Sequence, residues 1–425
     1  MATLPQDPAL DSAFSLLRHG YRFISGKCRT LHTDVFRTRL LLRPVVCMQG
    51  AEAARLFYEQ DKFLRHGAMP ARIQKTLTGV DGVQSLDGQP HRHRKHLFIR
   101  QLMSPARIEA LATLHQAHWH AAMAQWPLNR RMVLFDEAQK ILCQSVCAWA
   151  GIPLPASELN QRAQAFGRMI DSGARLGLAH WRGRRARKSA EQWISAEIKK
   201  TRATGPENSD SLLQAFAWHR DEQGHLLPAG VAAVELINVL RPTVAIAQFM
   251  TFSVLALHEY PYVRAPLESS HPDYLDWFVL EVRRFYPFFP FLAAYTRQAF
   301  TWQGFEFQKG MLTLLDIYGT NHDPRCWYQP DTFNPERFSN WPQDHYTLLA
   351  NGGATYEHHH RCPGEWITHR LMKVMVRFLV DNLHYEIPAQ DLSFSLADMP
   401  ALPKSRMIIR PVAYQPVPRK EMHDA

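Results

Sequence analysis

No stretch of this 425-residue sequence reaches the ~20 consecutive uncharged apolar residues that a membrane span needs. The opening "MATLPQDPALDSAF" has an early aspartate and no basic region followed by an apolar run, so it does not read as a signal peptide. A cytoplasmic protein is the resulting expectation. Cysteine is scarce. The six residues Cys28, Cys47, Cys143, Cys147, Cys326 and Cys362 form no disulfide-like framework and no C-x-x-C pair, which fits a reducing compartment. Internal repeats and low-complexity linkers are absent as well. Acidic residues fall short of basic ones, 39 against 49, for a formal charge of +10. Such a balance suits nucleic acid, an anionic surface or acidic ligands. No zinc finger or aromatic RNA-binding pattern accompanies it, so no nucleic-acid partner is expected. The densest basic run, "HWRGRRARK" at 180–188, opens a helical pattern and reads as a solvated helix face.

What is present is mostly helical. Residues of about 100–265 carry helical periodicity. Within them "ILCQSVCAWA" places Cys143 and Cys147 as small buried apolar groups. The apolar segment 229–261 predicts a central helix of about 30 residues, around 45 Å at 1.5 Å per residue. "DYLDWFVLEVRRFYP" predicts a helix stopped by Pro287, and "YTRQAFTWQGFEFQKGMLTLLDIY" alternates like short strands. An amphipathic helix follows Cys362. The expected class is mainly α with a small β region in the second half.

Four features carry chemistry. "HHHRCPGEW" crowds three histidines beside Cys362, just before a helix whose free N–H groups would stabilise a thiolate. A zinc cluster would need further ligands at suitable spacing, and no cysteine pair supplies them. Gly364 is expected to let the chain turn into that helix. Glu281 and Arg284 stand at i,i+3 on one helix face, with Arg337 of "FNPERF" available as a third member. Finally, Arg241-Pro242 interrupts an apolar helix. Proline there removes a backbone hydrogen bond and kinks the helix at ~3 kcal/mol, while a buried guanidinium demands an anion. That anion is either an internal carboxylate or a ligand.

An E-x-x-R helix, an F-N-P-E-R-F segment and a C-x-G loop entering a helix, in that order, resemble the cytochromes P450, the haem-thiolate family. The resemblance runs from "LRHGAMP" to the helix after Cys362. It extends to the bacterial fatty-acid peroxygenases through "GVQSLDGQPHRHRKHLF", "HWRGRRAR", "LRPTVAIAQF" and "EVRRFYPFFPF". It implies the cytochrome P450 fold as one domain over residues 1–425, haem b as cofactor and Cys362 as its axial thiolate. It further implies that Glu281, Arg284 and Arg337 form a structural network behind the haem, and that Arg65, His91, Lys95 and Tyr286 receive the propionates.

By the same resemblance Arg241, with Pro242, matches the position that holds a fatty acid's carboxylate. No acid stands beside a threonine in "RPTVAI", so that carboxylate would replace the acid–alcohol pair of ordinary members. Gln84 matches a position that is histidine in decarboxylating members and glutamine in hydroxylating ones. Leu77, Thr78, Ile170, Phe288, Phe289 and Phe291 are expected pocket walls, and Thr78 leaves a phenylalanine-sized space. The implied partners are a fatty acid and hydrogen peroxide, without a dedicated reductase. Hydroxylation at the α or β carbon is the expected outcome, with decarboxylation to terminal alkenes or redox-partner-dependent monooxygenation as the alternatives. A non-catalytic haem or fatty-acid sensor would share Cys362 and Arg241 yet show no turnover.

Overall fold

The computed structural model describes residues 3–173, 177–207, 210–269 and 271–415. It is 52% helix and 12% strand, which makes the mainly α assignment correct. The strands are β1 (Val35–Leu40), β2 (Arg43–Met48), β3 (Phe63–Leu64), β4 (Met132–Val133), β5 (Phe291–Thr296), β6 (Phe300–Trp302), β7 (Phe305–Phe307), β8 (Leu312–Asp316), β9 (Leu383–Glu386) and β10 (Ile408–Tyr414). A five-stranded sheet runs in the order β1-β2-β8-β5-β3, with β2 and β8 parallel and the other pairs antiparallel. A three-stranded sheet, β4-β10-β9, and the hairpin β6-β7 complete the β portion. Of the alternating stretch 295–318, the first two residues end β5. Strands β6, β7 and β8 then follow as predicted, whereas Ile317 and Tyr318 open the short helix Ile317–Asn321. The β portion is not confined to the second half, since β1 to β4 come from the first.

The largest hydrophobic cluster lies among the helices. Cys143 and Cys147 are buried in it, on the helix Leu134–Ala150. In the helix Glu365–Asp381, Ile367, Leu371, Met375 and Phe378 recur at helical spacing and are all buried. The helix Tyr274–Phe285 ends just before Pro287, as expected.

The central helix departs from the sequence expectation in one respect. It spans Ala229–Glu259 but is interrupted, as Ala229–Ala245 and Ala247–Glu259, with Ile246 between. Pro242 has no N–H to give to the carbonyl four residues back, and the ladder breaks one turn later, where Ile246 N–H bonds Thr243 O at 3.1 Å. By length and composition this helix could cross a membrane. Yet 78% of its most apolar window is buried inside the protein, the environment of a core helix.

The basic run at 180–188 also needs correction. It lies on the helix Leu178–Thr204, and most of it is solvated, but Arg187 is fully buried. The buried stripe Gly183, Ala186, Ala190, Ile194, Ile198 recurs every three to four residues, and Arg187 falls on it.

Candidate active site

Two groups of residues make up the site. The first surrounds Cys362. Its backbone N–H donates to Asn351 O at 2.9 Å, and Arg283 donates to Asn351 Oδ1 at 2.7 Å. Tyr58 Oη accepts from Gly353 N–H at 2.8 Å, which pins the loop's start. Gly352, at φ +88°, is needed here, because a Cβ would lie 2.8 Å from that hydroxyl. Gly364 is different. At φ −86° it adopts a conformation open to any residue, so the expected turning role is not what glycine supplies there. Burial raises the thiol's pKa. Against that act the Gly364 N–H, the Lys95 ammonium and an Asn351 hydrogen bond, all of which favour a thiolate.

Behind the loop, Glu365 accepts from Arg283 at 2.7 Å, from Arg361 at 2.8 Å and from Tyr356 at 2.8 Å. Burial alone would raise this carboxyl, but the Arg283 and Arg361 guanidiniums overcome it and hold the group at about 2. Its contribution to stability is therefore complete above its unfolded value of 4.5 and is lost as pH falls towards about 2. We expect the stability gap between the native protein and Glu365→Gln to narrow by on the order of 2–3 kcal/mol over that descent, measured by urea denaturation across the acid range.

Arg65, His91 and Lys95 come together beside the same loop. Lys95 Nζ donates to the carbonyls of His359, at 3.0 Å, and Arg361. The His91 ring stacks on His360 at 3.9 Å. Arg65 donates to Ala293 O at 3.0 Å and lies over the Phe57 ring. Lys95 is only 4% exposed, and burial lowers its pKa to about 8. Asp87, the nearby carboxylate, already accepts the backbone N–H groups of Arg65 and His66. Tyr286 is not in this group. Its ring stacks on Phe252 and packs against Phe333 and Phe394, and its hydroxyl has no partner. The aromatic core of the second half holds it away from Arg65, Lys95 and His91, the last of which burial keeps uncharged by lowering its pKa to about 2.

The conspicuous histidines divide by role. His360, kept neutral by burial, which lowers its pKa to about 4, stacks on His91 beside Arg65 and Lys95, while His359 bonds Thr355 Oγ1 at 2.9 Å and meets the Tyr58 ring edge-on. His358 offers its carbonyl to Gln60.

The second group hangs on the helix Ala229–Ala245. Arg241 is 5% exposed, its Nε has no hydrogen-bond partner, and its guanidinium forms no ion pair among the described residues. Burial, followed by the positive charge of Arg187, depresses its pKa, and Cys362 acts in the opposite direction. The site therefore holds two buried guanidiniums. Arg187 is engaged, with Glu191 at 2.6 Å, Leu77 O at 3.1 Å and Thr78 O at 3.5 Å. Gly79, at φ +82°, admits this contact, since a Cβ would come within 2.2 Å of an Arg187 nitrogen.

One and two turns before Arg241 stand Asn238 and Glu235. Asn238 Nδ2 donates to Gln84 Oε1 at 3.2 Å and lies 3.4 Å from Glu235 Oε2, while Arg94 donates to Glu235 at 3.1 Å. Gln84 is thereby tied to the helix that carries Arg241. Thr243 spends its hydroxyl on Val239 O at 2.9 Å, within its own helix.

The expected pocket walls separate. Thr78 is buried, with Met69 Sδ 3.5 Å from its hydroxyl. Leu77 and Ile170 are half-buried. Phe288 stacks on Phe249 of the central helix at 4.4 Å. Phe289 is 40% exposed but meets the Phe288 ring edge-on at 5.1 Å, whereas Phe291 packs against the sheet-side cluster of Phe23, Phe36 and Leu314 and lies apart from Phe288. The residues that sequence reasoning missed are Arg187, Asn238, Asn351, Arg283 and Glu365.

Glu281, Arg284 and Arg337 do meet. Glu281 takes two bonds from Arg284, at 2.6 and 2.8 Å, one from Arg337 at 3.1 Å and one from Asn334 N–H at 2.8 Å.

Residues 268–408 match the family model described as Cytochrome P450. A solved variant of cytochrome P450SP alpha (CYP152B1) superposes with TM-score 0.92 at 45% identity, covering 95% of this chain and 98% of that one. The chain belongs to the cytochromes P450. Cytochrome P450EX alpha (CYP152N1) with myristic acid is 41% identical at TM-score 0.93, over 96% of this chain and 99% of that one. A variant of cytochrome P450 OleT in complex with arachidonic acid is 32% identical at TM-score 0.94, over 99% and 100%. Among curated relatives, cytochrome P450 26B1 of Xenopus tropicalis is 24% identical over 89% of this chain and 80% of its own length. The resemblance to the fatty-acid peroxygenase branch holds.

As a cytochrome P450 the protein is an oxidoreductase that carries haem b on an axial cysteine thiolate. The residues present fit that group. Cys362 is a single soft donor, and among the described residues no three His, Cys, Asp or Glu side chains gather as a metal site of their own. Lys95 is buried with only carbonyl acceptors and lies beside Arg65 and His91, an arrangement that suits the two propionates.

Proposed function

We propose that this P450 is a fatty-acid peroxygenase, a cytoplasmic single-domain enzyme that uses hydrogen peroxide to hydroxylate medium- or long-chain fatty acids at the α or β carbon. The observation that carries this reading is Arg241, a buried guanidinium with an unpartnered Nε on a proline-kinked helix. A fatty-acid carboxylate is the anion it is built to receive. The myristic and arachidonic acids in the P450EX alpha and OleT structures belong to that ligand class. Haem b, when bound on Cys362, supplies the redox chemistry that activates peroxide and transfers one oxygen atom to carbon.

The chain's own residues do the rest. Arg241 clamps the carboxylate in a fork of two hydrogen bonds and so sets which carbons are presented. The held carboxylate takes a proton from one peroxide oxygen and returns it to the other, which leaves as water. The balance is fatty acid plus hydrogen peroxide giving hydroxy acid plus water. Thr243, bonded within its helix and without an acid beside it, offers no competing proton route. Arg65, His91 and Lys95 hold the propionates, while Glu281, Arg284 and Arg337 fix the structure behind them.

The test is incubation of haem-loaded protein with a fatty acid and hydrogen peroxide, without reductase, followed by mass-spectrometric product identification. Oxidised acid is expected. Its absence, with activity appearing only when electron-transfer proteins are added, overturns the reading in favour of a conventional monooxygenase. Gln84 then sets the outcome. Because Asn238 Nδ2 donates to Gln84 Oε1, the amide's NH2 end points away from Asn238. We expect Gln84→His to raise the alkene share of the product severalfold, through fatty acid plus peroxide giving alkene, carbon dioxide and two waters. Gas chromatography of both products measures it.

A further inference from the structure

The turn between β1 and β2 has two residues, Leu41 and Leu42, since Leu40 pairs with Arg43 across the hairpin. Both have positive φ, 54° and 62°. A turn of this hand at both central positions favours Asn, Asp and Gly, and a leucine side chain is disfavoured in the left-handed region. Here both positions are leucine, and both side chains point outward, 80% and 70% exposed. Neither local turn chemistry nor packing explains them.

They are not alone. Asp11 accepts a hydrogen bond from Leu42 N–H, and Ser12 N–H donates to Arg39 O at 2.8 Å. These bonds seat the start of the helix Ala13–His19 on the hairpin tip. Leu10, Phe14 and Leu17, spaced four and three residues apart, are exposed on the same segment. Five large apolar side chains thus stand out around one protrusion. Exposed arginines surround them: Arg18 on the helix, and Arg37, Arg39 and Arg43 on the hairpin. Arg18, Arg37 and Arg43 make no ion pair among the described residues. Arg39 faces Asp11, whose oxygens also bind the N–H groups of Ala13 and Leu42.

From this we infer that the β1–β2 tip and the first helix form a docking surface for an anionic lipid bilayer, with the leucines and Phe14 entering the interface and the arginines meeting the headgroups. An apolar tip above a basic base is the pattern of interfacial binding, and the chain's formal charge of +10 supports it at longer range. A folded protein partner would have to offer a concavity for a tip this prominent, whereas a bilayer needs none. The inference stands independently of the oxidant and of the substrate assigned above.

The experiment is co-sedimentation of the full-length, haem-loaded protein with sucrose-loaded vesicles, either of phosphatidylcholine alone or of equal parts phosphatidylcholine and phosphatidylglycerol. The informative variant is Leu41→Asn/Leu42→Gly, which installs the residues this turn favours and removes the apolar tip. We expect the native protein to partition onto the phosphatidylglycerol vesicles, and less so as salt is raised. The double variant should partition about tenfold more weakly, with an unchanged haem spectrum and a thermal midpoint equal or higher. Arg39→Gln/Arg43→Gln should lose the preference for the anionic vesicles. Three results overturn the inference: equal partition by the leucine variant, no binding by the native protein, or self-association without lipid that the leucine variant abolishes. The last would mean that a second copy covers this face.

Discussion

Replacing Arg241 with methionine is expected to lower kcat/KM for a fatty acid by on the order of 10³-fold while making the protein more stable. The two effects share a cause. The guanidinium is buried without an anion, so the substrate-free protein carries the penalty of an uncompensated charge. Methionine of similar volume removes that penalty and gains about 1–3 kcal/mol, a thermal midpoint higher by a few degrees. The same change leaves the substrate carboxylate unpaired, and truncating one side of a buried charge pair removes about 2–5 kcal/mol. Arg241→Lys should fall between, since an ammonium restores charge but not the two-pronged geometry.

A substrate pair separates this from general damage. The native enzyme should discriminate strongly between a fatty acid and its methyl ester, and Arg241→Met should treat them nearly alike. Steady-state rates with peroxide, together with spectral binding titrations for both ligands, measure this. Equal discrimination in both proteins would refute the clamp.

That arginine was legible in the sequence because it breaks a rule. A charge followed by a proline inside an apolar helix conflicts with both burial and backbone hydrogen bonding, and such conflicts collect at functional sites. The E-x-x-R and C-x-G spacings were legible because each lies on a single element, so sequence distance fixes spatial distance. Arg187 obeys no such logic. Its run of basic neighbours is solvated, and only the helical phase of Gly183, Ala186 and Ala190 shows that it turns inward. Asn238 was hidden because its partner, Gln84, is 154 residues away.

Tyr286 was misplaced for a related reason. A resemblance carries a residue's neighbours in sequence, whereas its place is decided by the Phe252, Phe333 and Phe394 rings, which come from three distant segments. Phe291 shows the period of an extended chain. Residue 289, before the strand begins, is largely exposed yet keeps its ring against Phe288, and 291 begins β5, whose side chains alternate between two clusters. The interruption at Ile246 follows from Pro242 alone and was foreseeable in kind, though its position one turn downstream depends on how the Thr243 and Val239 carbonyls re-pair.

Glu281→Gln is expected to damage the protein most. Glu281 is 0% exposed, and its two oxygens accept four hydrogen bonds from Arg284, Arg337 and the Asn334 backbone. Arg284 also donates to the carbonyls of Asn321 and Pro330, at 3.0 and 2.9 Å, and Arg337 to Tyr328 O at 2.7 Å. One carboxylate therefore anchors the helix Tyr274–Phe285 to the whole 321–337 segment that precedes the thiolate loop. Glutamine keeps the shape but removes the charge and turns one acceptor into a donor facing two guanidiniums. Breaking a buried pair from one side leaves an uncompensated charge worth 3–5 kcal/mol, and here two arginines share the loss. The expected result is a drop of at least ~3 kcal/mol in urea denaturation, with loss of haem binding. Arg337→Lys should be milder, because Arg284 still neutralises Glu281 and only one edge of the network loosens. If haem content and denaturation midpoint survive Glu281→Gln, the network is dispensable to the fold, and the order E-x-x-R, then F-N-P-E-R-F, then cysteine needs another physical reason.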